Sequence, residues 1–173
     1  MDDGTIIRPL NAADDLRTVA DIFVSSWRYA YRGILDEGYL AALTPEHWLL
    51  ALQTEQDRTL VAEAAGRLVG TATYGPARDP GWQGWGEVIS IYMLPGYMGR
   101  GLGTRLLARA GQKLQDDGLE RIYLWALQDN ATAMRFYMRN GFVPAETRMM
   151  RIGGRDVCAC RLIMDSNEDR RRS

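Results

Sequence analysis

The sequence predicts an α/β protein, α+β in some schemes, with a mixed and mostly antiparallel central sheet and helices on both faces. Strand and helix patterns follow one another in the order β, two helices, three β, helix, β, helix, two β. Apolar runs on either side of glycine-containing turns are typical of antiparallel hairpins. Residues 121–127 are apolar on both faces, which is typical of a central strand covered on both sides.

The length of 173 residues and the apolar content of 46% set the scale of the fold. They are sufficient for one well-buried core and leave little room for a second full domain. We therefore expect a single domain over residues 1–166, followed by a flexible C-terminal tail over residues 167–173.

The first third of the chain predicts one strand and two helical regions. Residues 5–10 have a strand pattern, and residues 11–31 carry apolar side chains at helical spacing before Gly33 ends the helix. A second helical region covers residues 37–53. It is interrupted at Pro45, because proline lacks a backbone N–H and breaks a helix.

The middle of the chain predicts three strands and a loop. Residues 59–64 and 68–74 are apolar runs joined by Ala-Gly-Arg, which is typical of a hairpin. Residues 76–86 contain prolines, glycines and two tryptophans, so we expect a loop there. Residues 87–94 then form a strand that ends at Pro95, since proline cannot donate to a strand ladder.

The last third predicts two helices, the central strand and a terminal hairpin. In residues 102–118 an apolar side chain recurs at every fourth position, as in an amphipathic helix that a glycine ends. The second helix covers residues 130–140 and begins at an asparagine, a favoured N-cap residue. Residues 146–152 and 156–164 flank Gly-Gly and predict the hairpin.

Charge and hydropathy exclude several kinds of partner. A formal net charge of −1 provides no general attraction to nucleic acids or anionic membranes. No stretch approaches the roughly 20 apolar residues needed to cross a bilayer, and the chain begins Met-Asp-Asp rather than with a signal-peptide pattern. We therefore expect a cytoplasmic protein without a nucleic-acid or membrane partner.

The cysteines predict neither a disulfide nor a metal site. Cys158 and Cys160 are two residues apart on a predicted strand, where their side chains share a face without the geometry of a usual structural disulfide. We expect free, buried thiols. A structural zinc site needs about four ligands, and two cysteines with the single His47 do not supply them, so we expect no metal.

A glycine-rich turn lies between the strand at 87–94 and the amphipathic helix. Gly99, Gly101 and Gly103 let the backbone approach a ligand, and the first N–H groups of the helix have no internal partners. Together these features form a site suited to an anion such as a pyrophosphate. A tight turn without a ligand is the alternative that the turn alone leaves open.

Two other nucleotide-binding motifs fit this turn poorly. A phosphate-binding Walker loop needs Gly-Lys followed by Ser or Thr, and the turn has no lysine. A dinucleotide fingerprint counted from Gly99 and Gly101 places Thr104 where its third glycine belongs. The elements around the turn also do not repeat β-α-β.

The turn and a second motif resemble the GNAT acetyltransferases. In that family a strand, a bulge, a Gly-rich turn and a helix follow one another, as in residues 91–103 here. Some thirty residues later the family has an Asn, an Ala, Phe-Tyr and Gly-Phe; this chain has Asn130, Ala133, Phe136-Tyr137 and Gly141-Phe142. The resemblance covers approximately residues 5–164, and residues 26–33 resemble a branch of bacterial members.

The resemblance implies an acetyl-CoA-dependent N-acetyltransferase. Such an enzyme moves the acetyl group to a primary amine of a small molecule or peptide by direct attack in a ternary complex. A homodimer is consistent with the family, and a non-catalytic acyl-CoA-binding sensor or interaction module is the alternative. The residues expected to bind the cofactor are Ile91, Met93, Met98, Gly99, Arg100, Gly101, Gly103, Thr104, Asn130, Ala133 and Tyr137.

One position departs from the family pattern. The family usually has Arg or Gln where the turn begins, and this chain has Met98. Because backbone N–H groups hold the phosphates, we expect weaker affinity rather than no binding, with Arg100 or Arg105 supplying charge.

The resemblance also implies a general base, an oxyanion donor and a general acid. An ammonium with a pKa near ~10 must lose a proton before it attacks. Glu87 matches the position of the family's general base, which would act through a water. The alternative is that Glu87 is an exposed charge at the start of the strand. The backbone N–H near Met93 matches the oxyanion donor. Tyr137 matches the acid that protonates the CoA thiolate, unless it is a packed aromatic.

The acceptor and the pantetheine arm have their own candidate residues. Trp27, Tyr31 and Trp85 are expected to bind the acceptor, because the family builds its acceptor cleft from the first helices and adjoining loops. Aromatic side chains suit an apolar or cationic substrate, although packing or a dimer contact is the alternative. Asn130 is expected to contact pantetheine, to cap its helix, or both.

Overall fold

The computed structural model describes residues 4–165. It contains a seven-stranded sheet in the order β1-β2-β3-β4-β5-β7-β6, in which β4 and β5 are parallel and the other neighbours are antiparallel. The strands are β1 (Ile6–Pro9), β2 (Thr59–Ala64), β3 (Arg67–Pro76), β4 (Gly86–Met93), β5 (Arg121–Leu127), β6 (Val143–Ile152) and β7 (Arg155–Asp165). The helices are α1 (Leu16–Ala30), α2 (Glu37–Ala42), α3 (Glu46–Glu55), α4 (Leu102–Asp116) and α5 (Ala131–Arg139).

The predicted fold class is confirmed, and the element order differs in one respect: the second helical region forms two helices, α2 and α3, separated at the predicted break at Pro45. The largest boundary error is at the start of α1. The sequence predicted a helix from residue 11, but residues 11–14 form a turn in which the Asp14 side chain accepts the Asn11 N–H. Asp15 then caps the helix by accepting the Arg17 N–H. The predicted tail at 167–173 lies outside the described residues.

Helices cover both faces of the sheet, as predicted. Under α4 and α5 the buried core includes Leu106, Leu114 and Ile122. On the other face, α1 and the segment that leads into α2 pack Val24 and Leu35 with other apolar side chains of the sheet. Within residues 4–165, no helix is long and apolar enough to cross a membrane.

The parallel contact between β4 and β5 is short. The two strands pair only at Gly86 with Ile122 and at Glu87 with Tyr123 among the described residues. A register shift between β3 and β4 lies just beyond, at Thr73 and Tyr74. The C-terminal ends of β4 and β5 therefore diverge, and the divergence opens a cleft in the middle of the sheet.

Candidate active site

The glycine turn lies at one side of this cleft, between β4 and α4. Gly99 and Gly101 have φ of 74° and 80°, a left-handed conformation that glycine adopts without strain. Gly101 is the N-cap of α4 and no side chain caps the helix. The first backbone N–H groups of α4 therefore remain available to an anion, as the sequence predicted.

Gly103 is required for packing rather than for backbone conformation. A Cβ atom at this position would lie 3.0 Å from Met93 Cε and 3.2 Å from Phe136 Cζ. The glycine thus lets α4 pack closely against both the end of β4 and α5. This contact brings the turn, Met93 and the helix that carries Tyr137 together.

The arginines near the turn have different surroundings. Arg105 Nη2 donates to the Thr5 carbonyl at 2.8 Å, which ties this side chain to the segment before β1. Arg100 is exposed, with its guanidinium carbon 5.5 Å from the centre of the Tyr97 ring. Met98 is half-buried, and Thr104 is exposed in the first turn of α4.

Glu87 is buried, so the interpretation of this residue as an exposed strand-start charge is wrong. Its side chain is 4% exposed and is held by four donors. Oε2 accepts from the Arg78 backbone N–H at 3.1 Å, Arg78 Nε at 3.0 Å and the Tyr123 hydroxyl at 3.0 Å. Oε1 accepts from Arg78 Nη2 at 2.8 Å.

Tyr123 is a site residue that the sequence did not single out. It is fully buried in β5, donates to Glu87 and accepts a 3.3 Å hydrogen bond from the Asp79 N–H. Burial raises the pKa of Tyr123 to about 12, so the phenol stays protonated and can donate at neutral pH. In sequence it is one aromatic within an apolar strand, a pattern that core packing explains equally well.

Tyr137 lies in α5, and its ring packs against Phe136 and Phe142 with centroid distances of 5.1 Å and 6.1 Å. Burial raises its pKa well above the usual value. Such a phenol stays protonated at neutral pH and can donate its proton toward a thiolate that forms beside it. The packed-aromatic interpretation and the proton-donor interpretation are compatible here.

Asn130 caps α5, one of the two roles expected of it. Its Oδ1 accepts the backbone N–H of Ala133 at 3.2 Å. The pantetheine contact expected of Asn130 and Ala133 stays a prediction.

An aromatic cluster lies on the α1 side of the cleft. Trp27 and Tyr31 pack with centroids 4.8 Å apart, and Tyr92 of β4 packs on Phe23 at 4.6 Å. Burial raises the pKa of Tyr31, and the nearby phenols of Tyr92 and Tyr137 raise it further. The structure therefore brings the predicted residues Trp27, Tyr31 and Tyr137 together around Tyr92. Tyr92 lies in the segment 91–103 that resembles the family, but the sequence predicted no role for it.

The two loop tryptophans have different neighbours. Trp82 lies 5.2 Å from the Tyr123 ring, beside the residue that donates to Glu87. Trp85 packs on Trp82 at 4.6 Å and under the Arg121 guanidinium at 4.8 Å, near the start of β5. Trp82 is therefore nearer to the Glu87 network, and the acceptor role of Trp85 stays a prediction.

A buried arginine already occupies the aromatic cage formed by Trp82, Tyr123 and Trp125. The Arg161 side chain is 4% exposed, and its guanidinium carbon lies 3.8 Å, 5.0 Å and 4.6 Å from these three ring centres. Asp79 binds it at 2.8 Å and Glu146 at 2.5 Å. These aromatic side chains therefore bind an internal cation and are unavailable for a cationic substrate.

The prediction of free, buried thiols is confirmed for Cys160, whereas Cys158 is less buried than predicted. Cys158 is half-buried and Cys160 is buried, and both are free thiols. Residues 4–165 contain no group of three or more His, Cys, Asp or Glu side chains placed to bind a metal ion.

Comparison with known proteins identifies the family. Residues 18–142 match the Acetyltransferase (GNAT) family. An uncharacterised N-acetyltransferase of Bacillus subtilis is 26% identical over 126 residues, which is 72% of this chain and 72% of that protein. Fold and sequence together define an acyltransferase. The chain belongs to the GNAT acetyltransferase family.

Solved structures share the fold at low sequence identity. The yncA protein of Salmonella typhimurium, solved with its cofactor acetyl-CoA, has a TM-score of 0.73 and 21% identity over 94% of each chain. The paia N-acetyltransferase of Thermoplasma acidophilum, solved in complex with coenzyme A, has a TM-score of 0.69 and 22% identity, covering 93% of this chain and 98% of that one.

Proposed function

We propose that the protein transfers the acetyl group of acetyl-CoA to a primary amine of a small molecule or peptide, by direct attack in a ternary complex. The observation that carries this proposal is the uncapped N-terminus of α4 beside the cleft where β4 and β5 diverge. A pyrophosphate on the first N–H groups of α4 would let the pantetheine arm enter that cleft. The two related structures solved with CoA or acetyl-CoA support this choice of cofactor.

In the proposed reaction the amine nitrogen forms a bond to the acetyl carbon while the carbon–sulfur bond breaks. The electron pair of that bond leaves with sulfur, and the Tyr137 hydroxyl supplies the proton that makes the free thiol of CoA. A backbone N–H near Met93 stabilises the negative charge that develops on the carbonyl oxygen.

The proton lost by the amine passes to Glu87 through a water. Oε2 of Glu87 accepts three hydrogen bonds and Oε1 accepts one, so Oε1 retains capacity for a further donor. The buried carboxylate is held by Arg78 and Tyr123 in one orientation. This fixed orientation supports a role in positioning a water beside the amine.

The test combines acetyl-CoA-dependent release of free thiol, over a panel of amines, with thermal unfolding in the presence of acetyl-CoA. Thiol release together with a raised melting temperature is the expected result. A raised melting temperature without turnover would favour the non-catalytic acyl-CoA-binding module. Absence of both effects would contradict the proposal that acetyl-CoA is the cofactor.

A further inference from the structure

The carboxylates on the acceptor side of the sheet are already bound within the protein. Glu87 accepts four hydrogen bonds. Asp79 accepts from Trp125 Nε1 at 2.7 Å and Arg161 Nη2 at 2.8 Å, and Arg148 lies 3.5 Å away. Burial raises the pKa of Asp79, but these bonds outweigh burial and hold it below its usual value. An incoming ammonium would therefore compete with internal donors at both carboxylates.

Two arginines on the same side retain unused donors. A guanidinium has five N–H groups. The Arg78 side chain is 57% exposed, and within residues 4–165 its bonds to Glu87 use Nε and Nη2 but not Nη1. The Arg148 side chain is 48% exposed, and its one hydrogen bond in that part of the chain is the long contact to Asp79.

Asp79 and Glu87 bring these two arginines to the same part of the sheet as the proposed general base. Arg78 pairs with Glu87 at 2.8 Å and directly precedes Asp79 in the chain, and Arg148 Nη1 lies 3.5 Å from Asp79 Oδ1. Arg148 stacks on Trp125 of β5, with its guanidinium carbon 4.0 Å from the ring centre. The two arginines therefore offer exposed cationic donors on this side of the sheet.

We propose that the acceptor is an amine that also carries a carboxylate, as amino acids and short peptides do, and that Arg78 and Arg148 bind this carboxylate. The inference rests on the proposed acetyl transfer and adds the class of acceptor. Guanidinium groups bind carboxylates through paired, charge-assisted hydrogen bonds. A polyamine would place a second ammonium beside two guanidinium groups.

The test compares acceptors with the same side chain, with and without the charge of the carboxylate. Phenylalanine, methionine and lysine are assayed against their carboxamides, with spermidine as a polycationic reference. The carboxamide has the less basic amine, so a larger fraction of it is deprotonated at neutral pH. Without a contact to the carboxylate, the carboxamide would therefore be the better acceptor. We expect the free acid to have the higher kcat/KM by at least about tenfold, the usual size of one charge-assisted contact.

Arg148→Gln tests whether the arginine causes this preference. The ratio of kcat/KM between acid and carboxamide should fall by at least about tenfold, and Arg148→Lys should restore part of it. Arg151→Gln is the matched control, because Arg151 is on the same strand, is 66% exposed and pairs with Asp156 at 2.8 Å. In Arg151→Gln the ratio of kcat/KM between acid and carboxamide should equal that of the unaltered protein.

Three results would overturn the acceptor class: a higher kcat/KM for the carboxamides, a preference for spermidine, or an unchanged ratio in a folded Arg148→Gln. Turnover of none of these acceptors would also overturn it. If acetyl-CoA still raised the melting temperature in that case, the cofactor part of the proposed function would stand. Loss of that effect too would contradict the proposed function itself.

Discussion

At the scale of single residues, Tyr137 combines packing and chemistry in one side chain. Its ring is fixed between Phe136 and Phe142, and burial raises its pKa. A phenol is neutral when protonated, so burial, which favours the neutral form, keeps it protonated to a higher pH than usual. The proton donor is therefore fully protonated throughout the neutral range.

Tyr137→Phe should lower kcat by about 10²-fold while leaving the KM for acetyl-CoA within about twofold, because it removes a proton donor and keeps the ring. In the unaltered protein, Tyr137 should cause no loss of kcat as the pH rises to about 10, the usual value for a phenol. Steady-state kinetics from pH 6 to pH 10 check both statements. Equal turnover in the variant would show that Tyr137 only packs.

Glu87 and Tyr123 can be separated by a pair of substitutions. Glu87→Gln removes the carboxylate and should lower kcat by at least about 10²-fold, the usual contribution of a general base. Tyr123→Phe removes one of the four donors to Glu87 and leaves both side-chain bonds from Arg78, so it should lower kcat by less than about tenfold.

The measurement is kcat for both variants, with melting temperatures to confirm folding. An equal loss in the two variants would mean that Glu87 only holds the loop at Arg78, and that a different group accepts the proton.

At the scale of elements, two glycines near the turn differ in what a methyl group would meet. A Cβ at Gly103 would crowd Met93 and Phe136, whereas a Cβ at Gly96 would have no atom within 4 Å. Gly103→Ala should lower the free energy of unfolding by about 1–3 kcal/mol, because overpacking moves α4 away from β4 and α5. Gly96→Ala should change it by less than about 0.5 kcal/mol.

Denaturant unfolding of both variants measures this difference, and the affinity for acetyl-CoA should fall in Gly103→Ala alone. Normal stability in Gly103→Ala would mean that Met93 and Phe136 can move aside, and that the close approach of α4 is not required.

The elements were predictable where their determinants are local. The bounds of β5 agree with the sequence prediction at both ends, because a continuous apolar run between polar residues marks a buried strand. Helix α1 starts later than predicted because Asn11 and Asp15 each accept the backbone N–H two residues further on, and the pattern alone does not choose between these two starts.

The aromatic cage was not predictable because its members are distant in sequence. Arg161 pairs with Trp125 across β5 and β7 and with Glu146 across β7 and β6, so strand register alone places them together. In the sequence Arg161 is a single charge within a strand pattern. By contrast, the Gly-rich turn and the Asn-Ala-Phe-Tyr motif carry their spacing locally, and they were found from the sequence.

At the scale of the whole molecule, the sheet consists of two halves with a weak junction. Strands β1 to β4 form one half and β5 to β7 form the other. Two residue pairs, at Gly86 and Glu87, join them in the register of the described strands. Within residues 4–165, β4 and β5 form no further pairs beyond these two. A pantetheine arm inserted there would contact both halves.

Acetyl-CoA should therefore slow amide hydrogen exchange at two separate places, the end of β4 at residues 91–93 and the end of β5 at residues 125–127. ADP, which has the pyrophosphate but no pantetheine, should protect the first turn of α4 and leave β5 unchanged. Exchange in β1 and β2 should change with neither ligand, which makes those strands the internal control. Protection of β5 by ADP, or of β4 alone by acetyl-CoA, would mean that the cofactor does not bridge the two halves, because bridging requires the arm to contact both strands at once.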